Sequence, residues 1–156
     1  MKFLVTKDTQ ASGLLRFLMG GLLAAVLLYL PMDILLHGLQ LGFTPADVKA
    51  TLYGDEAAFL EPILLDTLLL QVHIDLFMTL FVVLILSAMI VRLMERKQTK
   101  RVLLHLLGTT GLMMPMLLLS AYFFGSAVLH IWIGVFLFWH LVAFCVSIAL
   151  LRKVVR

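Results

Sequence analysis

Four long apolar runs, at residues 17–36, 68–91, 102–124 and 127–151, constrain this chain more than any other feature of its sequence. A helix of about 20 apolar residues spans the hydrocarbon core of a bilayer, which is about 30 Å thick. Since lipid offers the backbone no hydrogen bonds, each run must satisfy its own peptide groups as a helix. The sequence therefore predicts an all-α, four-helix transmembrane bundle of up-down-up-down topology. It forms a single domain over residues 1–156, with spans at about 14–38, 65–92, 101–124 and 127–151.

The composition supports a membrane protein and excludes several other classes. Apolar residues make up 63% of the chain and charged residues 13%, against about 45–50% and about 25% in soluble domains. The single cysteine, Cys145, excludes a disulfide within the chain and a cysteine-based zinc site. No local sequence marks an activated nucleophile or a phosphate-binding loop. The lipid bilayer is the predicted partner, and nucleic acid is not.

The basic residues predict which side of the membrane each end occupies. Of the 12 Lys and Arg residues, only Lys49 lies in the connection at residues 39–64, among several acidic residues. The others precede the first run, separate the second from the third, or follow the fourth. Because Lys/Arg-rich short loops stay in the cytoplasm, both termini are predicted to be cytoplasmic and the 39–64 loop to lie outside. The first run is longer than the apolar region of a signal peptide, which favours a retained helix.

The outer loop contains a capping sequence. Thr44 suits the N-cap, Pro45 the first helical position and Asp47 the third. A helix of about two turns is predicted to end at Tyr53, before Gly54. Such a loop serves as a lid, as a docking surface or as a passive interfacial segment.

The second run carries two polar stripes. At about 100° per residue, Asp66 and His73 share one face, whereas Gln71, Asp75 and Thr79 share another that is roughly 160° away. One bundle interior does not comfortably accommodate both stripes, so either the helix unwinds locally near its outer end or one stripe meets another subunit. This pattern favours a homo-oligomer or a subunit of a larger membrane complex.

Histidines and carboxylates are the candidate site residues. Asp33 and His37 lie one turn apart on one face of the first helix, where the carboxylate can orient the imidazole. Counted from the basic ends of the helices, three imidazoles reach a common outer layer: His37, His73 and His130. Asp33 and Asp75 lie slightly inside this layer, and His140 lies near the bilayer centre. Ionisable residues inside a span usually mark a functional site.

Three interpretations of these residues remain open. The first is b-type haem, bound through two of His37, His73, His130 and His140, for electron transfer within a membrane complex or to quinone. The second is a Cu or Zn site, with ligands drawn from His37, His73, His130, Asp33 and Asp75. The third is a non-catalytic accessory subunit whose polar groups only join helices.

Two resemblances accompany these interpretations. The segments at residues 44–54 and 73–77 resemble those of small four-helix inner-membrane proteins of proteobacteria, which implies a bacterial inner (cytoplasmic) membrane. The architecture as a whole resembles the membrane subunits of b-type cytochromes, which implies haem held between two histidines.

Overall fold

The computed structural model describes residues 13–155, which form four long helices and a structured loop. The long helices are α1 (Gly13–Leu41), α3 (Leu65–Leu93), α4 (Lys97–Phe124) and α5 (Ser126–Val155), and the loop contains α2 (Pro45–Tyr53) and a 3-10 turn (Glu56–Ala58). All four long helices are long and apolar enough to cross a membrane. The predicted all-α, four-helix transmembrane bundle, with its short helix between the first two spans, is confirmed. The chain is a multi-pass membrane protein.

The long helices pack in a fixed order around the bundle. α4 packs against both α3 and α5, and α5 also packs against α1. The contact between α1 and α3 is much smaller. α1 is therefore held mainly by α5, and its attachment to α3 depends on the few side chains that reach across.

Each long helix buries one face and exposes the other. Outward-facing residues such as Phe77 and Leu84 are large and apolar, with 65% and 68% of their surface exposed. In a soluble protein such residues would be unfavourable, but in lipid they cost nothing because the acyl chains are equally apolar. What holds the helices together is therefore packing and polar contact along the buried faces.

Basic side chains bind helix ends at the end of the bundle that carries the α3–α4 turn, which we call the basic end. Three of them donate to backbone carbonyls: Arg16 Nε to Val154 (3.0 Å), Lys100 Nζ to Val91 (2.8 Å) and Lys153 Nζ to Leu93 (3.3 Å). The carbonyls at a helix C-terminus lack intrahelical partners and carry partial negative charge, so cations are favourable there. Lys2, Lys7 and Arg156, which contribute to the predicted orientation, lie outside the described residues.

The opposite end, which we call the loop end, is ordered by the predicted capping sequence. Thr44 Oγ1 accepts from the Asp47 backbone N–H (3.2 Å), and the Asp47 carboxylate accepts from the Thr44 N–H (3.0 Å). α2 ends before Gly54, whose φ of 82° favours glycine. Gly38 allows the ring of Phe43 to lie directly on α1, because a Cβ at position 38 would overlap that ring. α2 is therefore folded back against the bundle.

Candidate metal centre

Polar side chains from three helices meet inside the bundle. α1 contributes Asp33 and His37, α3 contributes Asp75, and α5 contributes His140. These four residues are between 2% and 7% exposed. An isolated charge at such a position would be costly, so each group requires a partner of opposite charge or a strong hydrogen bond.

The first pair joins α1 to α3. His37 Nε2 lies 3.0 Å from Asp75 Oδ2. On the other side of the ring, His37 Nδ1 lies 2.9 Å from the backbone carbonyl of Asp33, one turn earlier. A carbonyl only accepts, so Nδ1 carries the proton that is donated there. An imidazole and a carboxylate thus connect α1 to α3, two helices that otherwise make few contacts with each other.

The second pair joins α5 to α1 and has the same form. His140 Nε2 lies 3.0 Å from Asp33 Oδ2, and His140 Nδ1 donates to the carbonyl of Phe136 at 2.8 Å. The carboxylate of Asp33 also lies 3.7 Å from His37 Nδ1, as expected from the spacing of these residues on α1. Asp33 therefore connects the two pairs.

Each pair needs a shared positive charge. When Nδ1 is protonated, the Nε2 atom of a neutral imidazole presents a lone pair to the carboxylate oxygen, and these two electron-rich atoms repel each other. A proton or a metal ion between the two atoms removes that repulsion. Donation of the second ring nitrogen to a carbonyl is also the usual arrangement of a metal-binding histidine, because it fixes the tautomer and the ring orientation.

Two further side chains hold the carboxylates from outside. Tyr29 Oη donates to Asp33 Oδ1 at 3.0 Å, and Gln71 Nε2 donates to Asp75 Oδ1 at 2.8 Å. Each donor lies one helical turn before the carboxylate that it contacts, so both contacts follow from the 3.6-residue repeat. In both aspartates Oδ1 is occupied by this donor, and Oδ2 faces an imidazole.

Asp33, His37 and Asp75 could together hold a metal ion. Each offers one ligand atom, and these atoms all lie within 4.8 Å of one another. Ligands of a tetrahedral zinc ion, with bonds of about 2.0–2.2 Å, are about 3.3–3.6 Å apart. Small movements of side chains would therefore bring the three atoms onto one ion.

Aromatic rings cover the cluster on the α5 side, and a pocket reaches it from the loop end. The Phe136 ring packs on both His37 and His140, with centroid distances of 4.7 Å and 4.3 Å. His37 also lines a pocket of about 120 Å³ between α1, α2 and α5, whose walls include Phe43 and Trp132. The cluster is thus covered by aromatic rings on the α5 side and adjoins this pocket at His37.

The structure separates the predicted site residues into two groups. His37, His140, Asp33 and Asp75 meet in the cluster, as described above. His73 points outward on α3, and His130 is also exposed, with Nδ1 donating to the carbonyl of Ser126 at 2.7 Å. These two histidines are not brought to the cluster. Their proposed roles as ligands stay predictions.

Tyr29 and Gln71 belong to the cluster but were not among the candidate site residues. The signal for both was available in the spacing, since Tyr29 precedes Asp33 by four residues and Gln71 precedes Asp75 by four. A tyrosine in an apolar run is common, however, and its spacing alone does not distinguish a donor to a carboxylate from a residue that faces lipid.

Comparison of the chain with protein-family models, with curated proteins and with solved structures gives no match. The assignment of the site therefore rests on its geometry.

Proposed function

We propose that the protein binds one divalent transition-metal ion, Zn²⁺ or Cu²⁺, in the membrane-embedded cluster through Asp33, His37 and Asp75. The observation that carries the proposal is the juxtaposition of three buried ligand atoms within 4.8 Å of one another. Nitrogen and oxygen donors of this kind suit zinc and copper, whereas soft Cu⁺ prefers sulfur. Two carboxylates balance the charge of one divalent ion.

The surroundings of the three residues support this proposal. Hydrogen bonds from Tyr29 and Gln71 orient the carboxylates, and the Asp33 carbonyl orients the His37 ring. A metal site is expected to have such outer contacts and an entry path. The pocket that His37 lines provides that path from the loop end.

Haem b is less well supported than a metal ion. Bis-histidine haem requires two imidazole nitrogens that are free to bind iron from opposite sides. His37 and His140 lie on neighbouring helices, but the Nε2 atom of each is 3.0 Å from a carboxylate oxygen. The Phe136 ring also packs on both imidazoles. The geometry of the cluster thus favours an ion.

Metal analysis of the purified protein tests the proposal. The chain, extracted in mild detergent from cells supplied with zinc and copper, is expected to retain about one ion per chain. Asp75→Asn and His37→Gln each remove one ligand and are expected to lower affinity by about 100-fold or more, because changes to outer contacts alone cost 10–100-fold. A visible spectrum of the same sample tests for haem.

The chain offers matched controls for both substitutions. Asp66 and His73 lie on α3 and are exposed, so Asp66→Asn and His73→Gln change the same chemical groups outside the cluster. Both variants are expected to bind metal as the wild type does. Wild-type protein that takes up neither ion, or Asp75→Asn protein that binds as tightly as Asp66→Asn protein, would overturn the proposal.

We also propose that the protein lies in a bacterial inner membrane with both termini in the cytoplasm. The support is the concentration of Lys and Arg at the basic end, because positively charged short loops are retained on the cytoplasmic side. In this orientation the loop end, and with it the pocket beside His37, faces the outside. The metal would then enter from the side of the membrane opposite the cytoplasm.

A further inference from the structure

Each carboxylate of the cluster has one oxygen that accepts from an outer donor and one oxygen that faces an imidazole. Asp33 Oδ1 accepts from Tyr29, and Asp75 Oδ1 accepts from Gln71, at 3.0 Å and 2.8 Å. The Oδ2 atoms lie 3.0 Å from His140 Nε2 and from His37 Nε2. The outer hydrogen bond holds each carboxylate with Oδ2 toward the imidazole and takes one of the lone pairs of Oδ1, so it favours binding of an ion through Oδ2.

The same four residues supply four donors in all. Two are Oδ2 atoms, and two are Nε2 atoms, since His140 has the same orientation relative to a carboxylate as His37. His140 lies beside Asp33, outside the group of three whose atoms are mutually within 4.8 Å, so it binds the ion only if its side chain moves toward the other three. The complete set is two nitrogens and two oxygens.

This donor set discriminates between classes of divalent ion. Zn²⁺ takes four nitrogen and oxygen donors in a tetrahedron. Ca²⁺ requires six to eight oxygen ligands and often takes both oxygens of a carboxylate, whereas Mg²⁺ requires six donors and keeps several waters. The Phe136 ring packed on both imidazoles fills space that additional waters would need.

We infer that Tyr29 and Gln71 are specificity-determining residues, which restrict Asp33 and Asp75 to one oxygen each and so select a four-coordinate transition-metal ion over Ca²⁺ and Mg²⁺. This inference rests on the metal site proposed above. Removal of either donor frees an Oδ1 atom, and the carboxylate can then bind through both oxygens. The coordination number rises, and ions that favour more oxygen ligands bind better relative to zinc.

Cobalt(II) provides a direct test, because tetrahedral Co²⁺ absorbs visible light strongly and octahedral Co²⁺ weakly. Wild-type protein loaded with Co²⁺ is expected to show the intense bands, and Zn²⁺ to remove them at about one equivalent. Ca²⁺ and Mg²⁺ in large excess are expected to leave the bands unchanged. Weak, octahedral-type bands in the wild type would overturn the inference, although the metal site itself would stand.

The variants Tyr29→Phe and Gln71→Met test the role of the two donors. Each keeps the approximate size of the side chain and removes the hydrogen bond to the aspartate. Gln71→Met also removes the 3.4 Å contact of Gln71 Nε2 with His37 Nε2, so Tyr29→Phe is the cleaner of the two. Each is expected to weaken the Co²⁺ bands and to raise affinity for Mn²⁺ relative to Zn²⁺ by about tenfold, the lower bound for outer-contact changes. The controls are Tyr122→Phe, whose ring packs on Phe123 away from the cluster, and Gln98→Leu, whose side chain is exposed.

The outcomes separate this inference from the proposed function. If the wild type binds neither Co²⁺ nor Zn²⁺, the metal site is wrong and the inference falls with it. If both variants lose affinity for Mn²⁺ and Zn²⁺ in equal proportion, the donors only support the fold of the site, and the inference alone is overturned. A rise in Mn²⁺ affinity relative to Zn²⁺ in either variant, absent from both controls, supports it, and an unchanged or lowered ratio overturns it.

Discussion

Gly111 shows how a single position determines the close packing of three helices. A Cβ placed there would lie 2.9 Å from Thr79 Cγ2 on α3 and 2.9 Å from Trp139 Nε1 on α5. The Trp139 indole is fully buried and donates to the carbonyl of Leu107 at 3.2 Å. Small residues at such crossings allow the helix backbones to approach, which is the main source of stability for helices in lipid.

Gly111→Ala is therefore expected to destabilise the bundle. Overpacking of a tight core typically costs about 1–3 kcal/mol, and both neighbours here lie on rigid helices. Thermal unfolding in detergent, followed by circular dichroism, measures the loss. Gly108→Ala is the control, since nothing lies within 4 Å of its added Cβ; it is expected to be neutral or slightly stabilising because alanine is the better helix former. Equal melting temperatures for the two variants would contradict this account of the crossing.

At the scale of elements, α2 is attached to the bundle by a few specific contacts. The Tyr53 hydroxyl donates to the carbonyl of Ala121 near the end of α4, at 2.6 Å. The backbone N–H of Ile63, in the segment that leads into α3, donates to the backbone carbonyl of Thr51 on α2 at 2.9 Å. The attachment matters for function because the pocket that leads to His37 lies between α2, α1 and α5.

Tyr53 makes this attachment dependent on pH. Burial raises the pKa of its phenol above the ordinary value of 10.0, so the docked state favours the neutral form that donates the hydrogen bond. The contribution is therefore fully present below about pH 10 and is lost as the pH rises through the raised pKa. Tyr53→Phe is expected to lower stability by about 1 kcal/mol at neutral pH, and the two proteins are expected to converge at high pH.

The titration of Tyr53 can be measured directly. Subtraction of the phenolate absorbance curve of Tyr53→Phe from that of the wild type isolates this one residue among the three tyrosines of the chain. The midpoint is expected above pH 10. A midpoint at or below the ordinary value, with equal stability of the two proteins at neutral pH, would show that α2 is held by other contacts.

α3 illustrates which properties of an element can be predicted. Its two polar stripes follow from the helical repeat, and both exist: Gln71, Asp75 and Thr79 are buried, whereas Asp66 and His73 are exposed. The sequence did not indicate which stripe faces inward, because both lie in equally apolar surroundings. The predicted oligomer or larger complex, inferred from the second stripe, stays a prediction.

At the scale of the whole molecule, the bundle has two chemically different ends. One carries the basic turn and the cations that bind helix carbonyls, and the other carries the acidic loop with α2. The candidate metal centre lies on the loop side of α1 and α3, since His37 precedes the end of α1 and Asp75 follows the start of α3. Under the proposed function, the orientation of the bundle in the membrane would therefore determine which compartment supplies the ion.

Cysteine labelling tests that orientation. Cys145 is the only cysteine of the chain, so Cys145→Ser provides a background into which Glu61→Cys or Gln98→Cys is introduced. In intact bacterial cells a membrane-impermeant maleimide is expected to label position 61 and not position 98. After the cells are broken, both positions are expected to react. The reverse pattern would place the basic end outside and would contradict the proposed topology.

The four spans, the short capped helix and the alternation of basic and acidic connections can all be read from the amino-acid sequence. Each of these depends on local properties, namely the length of an apolar run, the spacing of capping residues and the position of charges. The pairing of Asp33 with His37 was accessible for the same reason, as both lie on one face of one helix. The rotation of each helix about its own axis could not be predicted from the sequence. Hydropathy is nearly uniform around an apolar helix, so packing against the other helices decides the rotation.

Which polar residues meet depends on the packing of the folded bundle. This packing turned His37 and His140 inward and left His73 and His130 exposed, although depth along the helices had placed His37, His73 and His130 in one layer. It also placed the donors Gln71 and Tyr29 on the Oδ1 atoms of Asp75 and Asp33. The physical reason is that a buried carboxylate must be satisfied by several donors at once, and those donors come from three helices whose relative rotation depends on the packing of all four.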